Sequence, residues 1–79
     1  MPIKSYIAYP LEGKKDVLID GLNEIKQCEV IPSRNEEIVV VVTETPSDKE
    51  DIKLKELIDN LESLKMISLV SGFNTPKNN

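Results

Sequence analysis

The sequence contains no histidine, no tryptophan and a single cysteine, Cys28. Without histidine, the commonest general base near neutral pH is missing, and a lone cysteine cannot form a disulfide within the chain. No C-x-x-C pattern occurs, so we interpret Cys28 as a core residue rather than a nucleophile or a metal ligand. These absences predict a protein that is not an enzyme and that uses no metal and no cofactor.

Positive charge and closely spaced glycines are also scarce. The chain has 14 acidic and 10 basic residues, a net charge of -4, and its glycines stand apart at positions 13, 21 and 72. A Gly-rich phosphate loop is therefore excluded, and a nucleic-acid partner is not expected because neutralising phosphates takes a surplus of Lys and Arg. The acidity instead suits a basic partner, although it also serves simply to keep a small protein soluble.

Long apolar runs are missing as well. The apolar run within MPIKSYIAYP is too short for a signal peptide, and no apolar run approaches the roughly 20 residues of a membrane-spanning helix. We therefore expect a cytoplasmic protein. Its 79 residues are enough for one domain, which we expect over residues 1–74, followed by a disordered polar tail over 75–79.

The apolar periodicity predicts an alternation of strands and helices. In order, we expect strand, helix, strand, strand, helix and strand over residues 3–9, 14–27, 28–33, 38–43, 48–64 and 65–73. This βαββαβ order predicts an α+β, ferredoxin-like sandwich: a four-stranded antiparallel sheet with two helices on one face. The first and third strands are then central, and Pro32 fits an edge position for the second because proline lacks an N–H.

The third strand raises the question of function, because it is apolar on both of its faces. Residues 38–42 are five β-branched aliphatics in a row, and the predicted helices cover only one side of the sheet. We assign Ile3, Ile7 and Leu69 to the helix side, and to the open side we assign Tyr6, Ala8, Val39, Val41 and Val70. A register error of one residue would exchange the two sets.

An exposed apolar patch of this kind marks an interaction surface. Three occupants stay open: a second copy in a homodimer packed sheet to sheet, a ligand or peptide in a dedicated groove, and the chain's own C-terminal tail. The acidic residues around the strands are either solvated charges that discourage aggregation or contacts for a basic partner. They are Glu29, Glu36, Glu37 and Glu44.

A second class of function shares the same element order. Regulatory domains of the ACT type dimerise and bind amino acids at the interface, often with a glycine-containing loop after the first strand. Gly13 in PLEGKKD keeps an ACT-like small-molecule-binding domain as the alternative. An enzyme that uses carboxylates alone is disfavoured, because no two acids are placed to converge.

Segments across residues 3–74 resemble the NapD family. The likeness is carried by the Ser-plus-aliphatic first strand IKSYIAYP, the Glu-Val second strand QCEVIPS, the valine-rich third strand EEIVVVVTE, and the last helix end with the final strand, LESLKMISLVSGFN. The matching positions are Ser5, Tyr6, Ile7, Glu29, Val30, Val39, Val41 and Val70.

The resemblance implies a function. Members of that family are small cytoplasmic chaperones with the ferredoxin-like fold, and they bind the twin-arginine signal peptide of the periplasmic nitrate reductase catalytic subunit. Binding delays export until the molybdenum cofactor and iron–sulfur cluster are in place. The implied site is the open face of the sheet, where the peptide docks as a helix. Combined with our assignment of faces, this predicts a signal-peptide site at Ser5, Tyr6, Ala8, Glu29, Val39, Val41 and Val70.

Overall fold

The computed structural model describes residues 2–74. Four strands and two helices follow one another as β1 (Pro2–Pro10), α1 (Lys15–Asn23), β2 (Cys28–Pro32), β3 (Val39–Glu44), α2 (Asp48–Asp59) and β4 (Leu64–Asn74). The strands form one antiparallel sheet in the order β2-β3-β1-β4. This confirms the ferredoxin-like α+β fold, with β1 and β3 central and β2 at an edge. The expected tail over residues 75–79 lies outside the described residues.

Local sequence features account for the start of α2 and for the turn before α1. In α2, the Ser47 side chain accepts a hydrogen bond from the Glu50 N–H at 3.2 Å, and acidic residues fill the first turn, where the helix dipole favours them. Helix α1 follows Gly13, whose positive φ of 77° turns the chain at little cost for glycine. The helices are shorter than the periodicity predicts, since α1 ends at Asn23 and α2 ends at Asp59.

The core lies between the helices and one face of the sheet. Leu18 and Leu22 of α1 and Leu54 and Ile58 of α2 are buried there. Leu57, next to Ile58 on α2, is 53% exposed and so lies at the margin of this buried stripe. Helix α2 ends at Asp59, so Leu61 lies in the connection that follows and Leu64 already belongs to β4.

The predicted assignment of sheet faces is wrong for the two central strands. Tyr6, Ala8, Val39 and Val41 were expected on the open side, but they are between 0% and 4% exposed and pack in the core with the helix leucines. Because side chains alternate along a strand, the residues between them point to the open side. The expected helix-side residues Ile3 and Ile7 therefore lie on the open face.

The predicted assignment of faces also included Leu69 and Val70 of β4, and the outcome differs between these two residues. Leu69 pairs with Tyr6 and so shares its helix-side direction, as predicted, but it stays exposed. Val70 falls at a register shift between Ser5 and Tyr6, has no partner in β1 and is exposed.

Each edge of the sheet carries a feature that hinders pairing with another strand. Strand β2 is five residues long and ends at Pro32. In β4, two register shifts leave Lys65 and Val70 outside the ladder with β1. Short strands, prolines and bulges all disfavour the addition of a further strand. The addition of a further strand is thus disfavoured at both edges of the sheet.

Candidate functional site on the open face

Two rows of side chains cross the open face, as the strand register shows. One row consists of Glu29, Val42, Ser5 and Ser71, and the next of Ile31, Val40, Ile7 and Ser68. Ile3 and Glu44 lie opposite each other beyond the first row, and Tyr9 and Met66 lie opposite each other beyond the second. We use the term open face for these twelve residues.

Apolar side chains make up the middle of the open face. Ile7, Val40 and Val42 on the central strands are partly buried by their neighbours, while Ile31 and Met66 toward the edges are 47% and 49% exposed. No helix of residues 2–74 covers them, since the core residues of both helices pack against the opposite face. The result is a contiguous apolar surface of the kind that marks an interaction site.

Two carboxylates stand at one end of the open face. Glu29 on β2 and Glu44 on β3 are both exposed, and they line a cleft of about 460 Å³ together with Ile3 and Val42. Glu29 pairs with Val42 and Glu44 follows two residues later, so the two carboxylates are diagonal neighbours on the same face. Lys26 lines the cleft too and places one positive charge near the pair.

A buried hydroxyl lies behind this cleft, on the helix side of the sheet. Thr43 is 1% exposed, and its Oγ1 has no hydrogen-bond partner among the described residues. A buried polar atom without a partner costs free energy, commonly 1–3 kcal/mol. Because Thr43 alternates with Val41 and pairs with Lys4, its side chain points to the helix side, and its hydroxyl is not presented to a partner on the open face.

Of the seven sequence-predicted site residues, two belong to the open face. Ser5 on β1 and Glu29 on β2 flank Val42 of β3 in one row. Tyr6, Ala8, Val39 and Val41 are buried in the core, and Val70 is exposed at the β4 bulge.

The prediction missed the apolar residues that occupy the open face, namely Ile3, Ile7, Ile31, Val40, Val42 and Met66. Glu44 carried a usable signal, because a charged residue at the end of a central strand points away from the core and its alternation partners are Val42 and Val40.

Lys4 carries the opposite signal. It alternates with Tyr6 and Ala8, and a lysine is expected to point away from the core. In the structure the Lys4 amine donates a hydrogen bond to the nearly buried Asp51 carboxylate of α2, so Lys4 lies on the helix side despite its charge. The hydrogen bond to Asp51 raises the pKa of the Lys4 amine above its usual value.

Comparisons with known proteins support the fold. The chain is similar to the crystal structure of the hypothetical protein PHS023 from Pyrococcus horikoshii, with a TM-score of 0.80 and 16% sequence identity over 98% of this chain and 94% of that one. No family model matches the chain, and no curated protein matches it. At this level of identity the likeness establishes a small ferredoxin-like fold.

The other chemical groups of the described residues are not arranged as a site. Cys28 is partly buried against the core, and burial raises the pKa of its thiol to about 11, so the thiol is protonated at neutral pH. Among residues 2–74, no three His, Cys, Asp or Glu side chains are grouped to hold a metal ion. Within the same residues, neither helix has the length and apolar character needed to cross a membrane.

Proposed function

We propose that the protein is a chaperone that binds the signal peptide of an exported enzyme on its open face. The observation that carries this proposal is an uncovered apolar sheet face with two carboxylates at one end. A signal peptide has a basic segment followed by an apolar one, so it complements both parts of the surface.

The sheet also favours a helical ligand over an extended one. An extended peptide gains most of its affinity by hydrogen bonding to a sheet edge, and both edges here carry features that hinder this. A segment lying on the flat face finds no free backbone groups, because the strands beneath it are already paired. It must satisfy its own N–H and C=O groups, and the α-helix does this.

The resemblance to the NapD family supports a particular client. On that basis, the peptide is the twin-arginine leader of a periplasmic nitrate reductase catalytic subunit or of a related molybdoenzyme. Binding would hold back export until the cofactors are inserted. Such a chaperone meets its client before export, which is consistent with a cytoplasmic location and with a role that involves no catalysis.

Calorimetric titration with a synthetic twin-arginine leader peptide tests the proposal. Ile31→Lys, on the open face, should weaken binding by about tenfold or more, because it places a charge under the apolar part of a basic ligand. Ile52→Lys is the matched control: Ile52 is 61% exposed on α2, and the same change there should leave binding unaltered. Equal affinities for the two variants, or no binding by the wild type, would rule the proposal out.

The same apolar face also favours a second candidate, a homodimer packed sheet to sheet. Sedimentation equilibrium distinguishes it, because a dimer of this type dissociates when Ile31→Lys is introduced and persists with Ile52→Lys. The ACT-like alternative instead predicts that a free amino acid raises the melting temperature, which a thermal-shift screen would detect.

A further inference from the structure

We infer that the bound helix lies along β1 in one direction, with its N-terminal, basic end at the cleft beside Glu29 and Glu44. The inference rests on the proposed function and adds the polarity of docking. It assigns the cleft as the subsite for the basic side chains and the rest of the open face as the subsite for the apolar ones.

The charge on the open face itself is confined to the cleft end. Of its twelve residues, Glu29 and Glu44 are the charged ones, and those at the far end, Tyr9 and Met66, are uncharged. A guanidinium at the cleft would gain two carboxylates at the rim. Lys26 opposes this attraction but leaves the cleft with a net negative charge.

The far end has carboxylates of its own, and they compete for the same role. Glu36 and Glu37 lie in the loop between β2 and β3, next to Arg34. Lys65 lies at the same end of the sheet, beside Met66. These positive charges, together with Lys15, whose amine donates to the carbonyl oxygens of Ser33 and Glu36, offset the two acids, so the far end attracts a basic segment less than the cleft end does.

The dipole of the ligand helix favours the same orientation. A helix carries a partial positive charge at its N-terminus, which is stabilised by nearby carboxylates. In a signal peptide the basic residues precede the apolar segment, so its formal charge and its dipole favour the same orientation. In a segment with the opposite order, apolar and then basic, the basic residues and the helix N-terminus lie at opposite ends, so only one of them could bind at the cleft.

The length of the face fits such a helix. Ile3 and Tyr9 are six residues apart on β1, which corresponds to about 20 Å along an extended strand. A helix of about 13 residues covers this distance. That is enough for one basic turn at the cleft and about two and a half apolar turns over Ile7, Val40 and Ile31.

Paramagnetic relaxation in the complex tests the orientation. The probe is the synthetic leader peptide with a nitroxide at either its N-terminal or its C-terminal end, titrated into the isotope-labelled full chain. The N-terminal label should broaden the amides of Glu29 and Glu44, and the C-terminal label those of Tyr9 and Met66. The reverse pattern would overturn the inference while leaving peptide binding intact, whereas absence of binding would overturn the proposed function itself.

A pair of charge-neutralising variants gives a second, independent measurement. Glu29→Gln with Glu44→Gln should weaken peptide binding by about fivefold at low salt, the size expected for two exposed ion pairs. Glu36→Gln with Glu37→Gln removes the same charge from the far end and should change affinity by less than about twofold. A larger effect from the second pair would contradict the assigned polarity.

Discussion

Two neighbouring valines provide a strict test of which face of the sheet forms the core. Val41 is fully buried against the helices, and Val40, one residue before it, is a partly buried member of the open face. Both sit in β3 between the same two strands, so Val41→Ala and Val40→Ala change β propensity and backbone pairing equally. Any difference between them reports on packing.

The expected difference follows from burial. Removing two carbons from a buried valine loses about 1.6 kcal/mol of transfer free energy, and the cavity left behind adds about 1 kcal/mol. At Val40 the lost area is smaller and the space opens to solvent, so we expect a loss of about 0.5 kcal/mol from packing. A domain of 79 residues has a free energy of unfolding of about 4–12 kcal/mol, so both variants should fold.

Urea unfolding followed by circular dichroism measures the two variants directly. Val41→Ala should lower the free energy of unfolding by about 2 kcal/mol more than Val40→Ala, with similar denaturant slopes for both. Equal losses, or a greater loss for Val40→Ala, would refute the assignment of the helix side and with it the identity of the open face.

Further predictions concern the core and the turns. Burial raises the pKa of the Cys28 thiol to about 11, so between pH 8.5 and 11 the native state keeps a proton that the unfolded state releases. The stability that this thiol contributes is therefore complete below about pH 8.5 and is lost as the pH rises through 11. Cys28→Ala should therefore flatten the fall of the urea midpoint between pH 8.5 and 11, and an equally steep fall would show that the thiol is not responsible. Asp51→Asn removes the partner of the Lys4 amine and should cost about 1 kcal/mol at pH 7, measured by the same unfolding assay; an unchanged midpoint would mean that the pair contributes nothing. Gly13→Ala should cost about 1 kcal/mol because φ is positive there, although a Cβ would meet no atom within 4 Å. Gly21→Ala is its counterpart on α1, where a Cβ would lie 3.4 Å from Leu61 in ordinary contact, and its melting temperature should stay level or rise.

The fold was predictable from the sequence because local signals agreed with one another. Pro32 pointed to an edge strand, the apolar periodicity to a helix beginning at residue 48, and the valine run to a central strand, and the structure has each feature where it was expected. Such agreement between propensity and periodicity is what specifies a topology.

Which face of the sheet is buried was harder to predict, for a physical reason. Alternation of apolar and polar residues normally reveals which side of a strand is buried, and the run over residues 38–42 has none. In β1 the bulkier Ile3 and Ile7 point outward, while the small Ala8 points into the core against the helices. Lys4 points to the core side because Asp51, 47 positions later in the chain, pairs with it, and no local pattern reveals that partner.

The contacts of the bound peptide with four consecutive valines test the central claim most directly. In a complex of methyl-labelled protein with an unlabelled twin-arginine leader peptide, we expect nuclear Overhauser effects from the peptide to the methyls of Val40 and Val42. Those of Val39 and Val41 should show none, because they are fully buried under the helices. Contacts to Val39 or Val41, or to exposed residues of the helices such as Ile52, would contradict the open face as the binding surface.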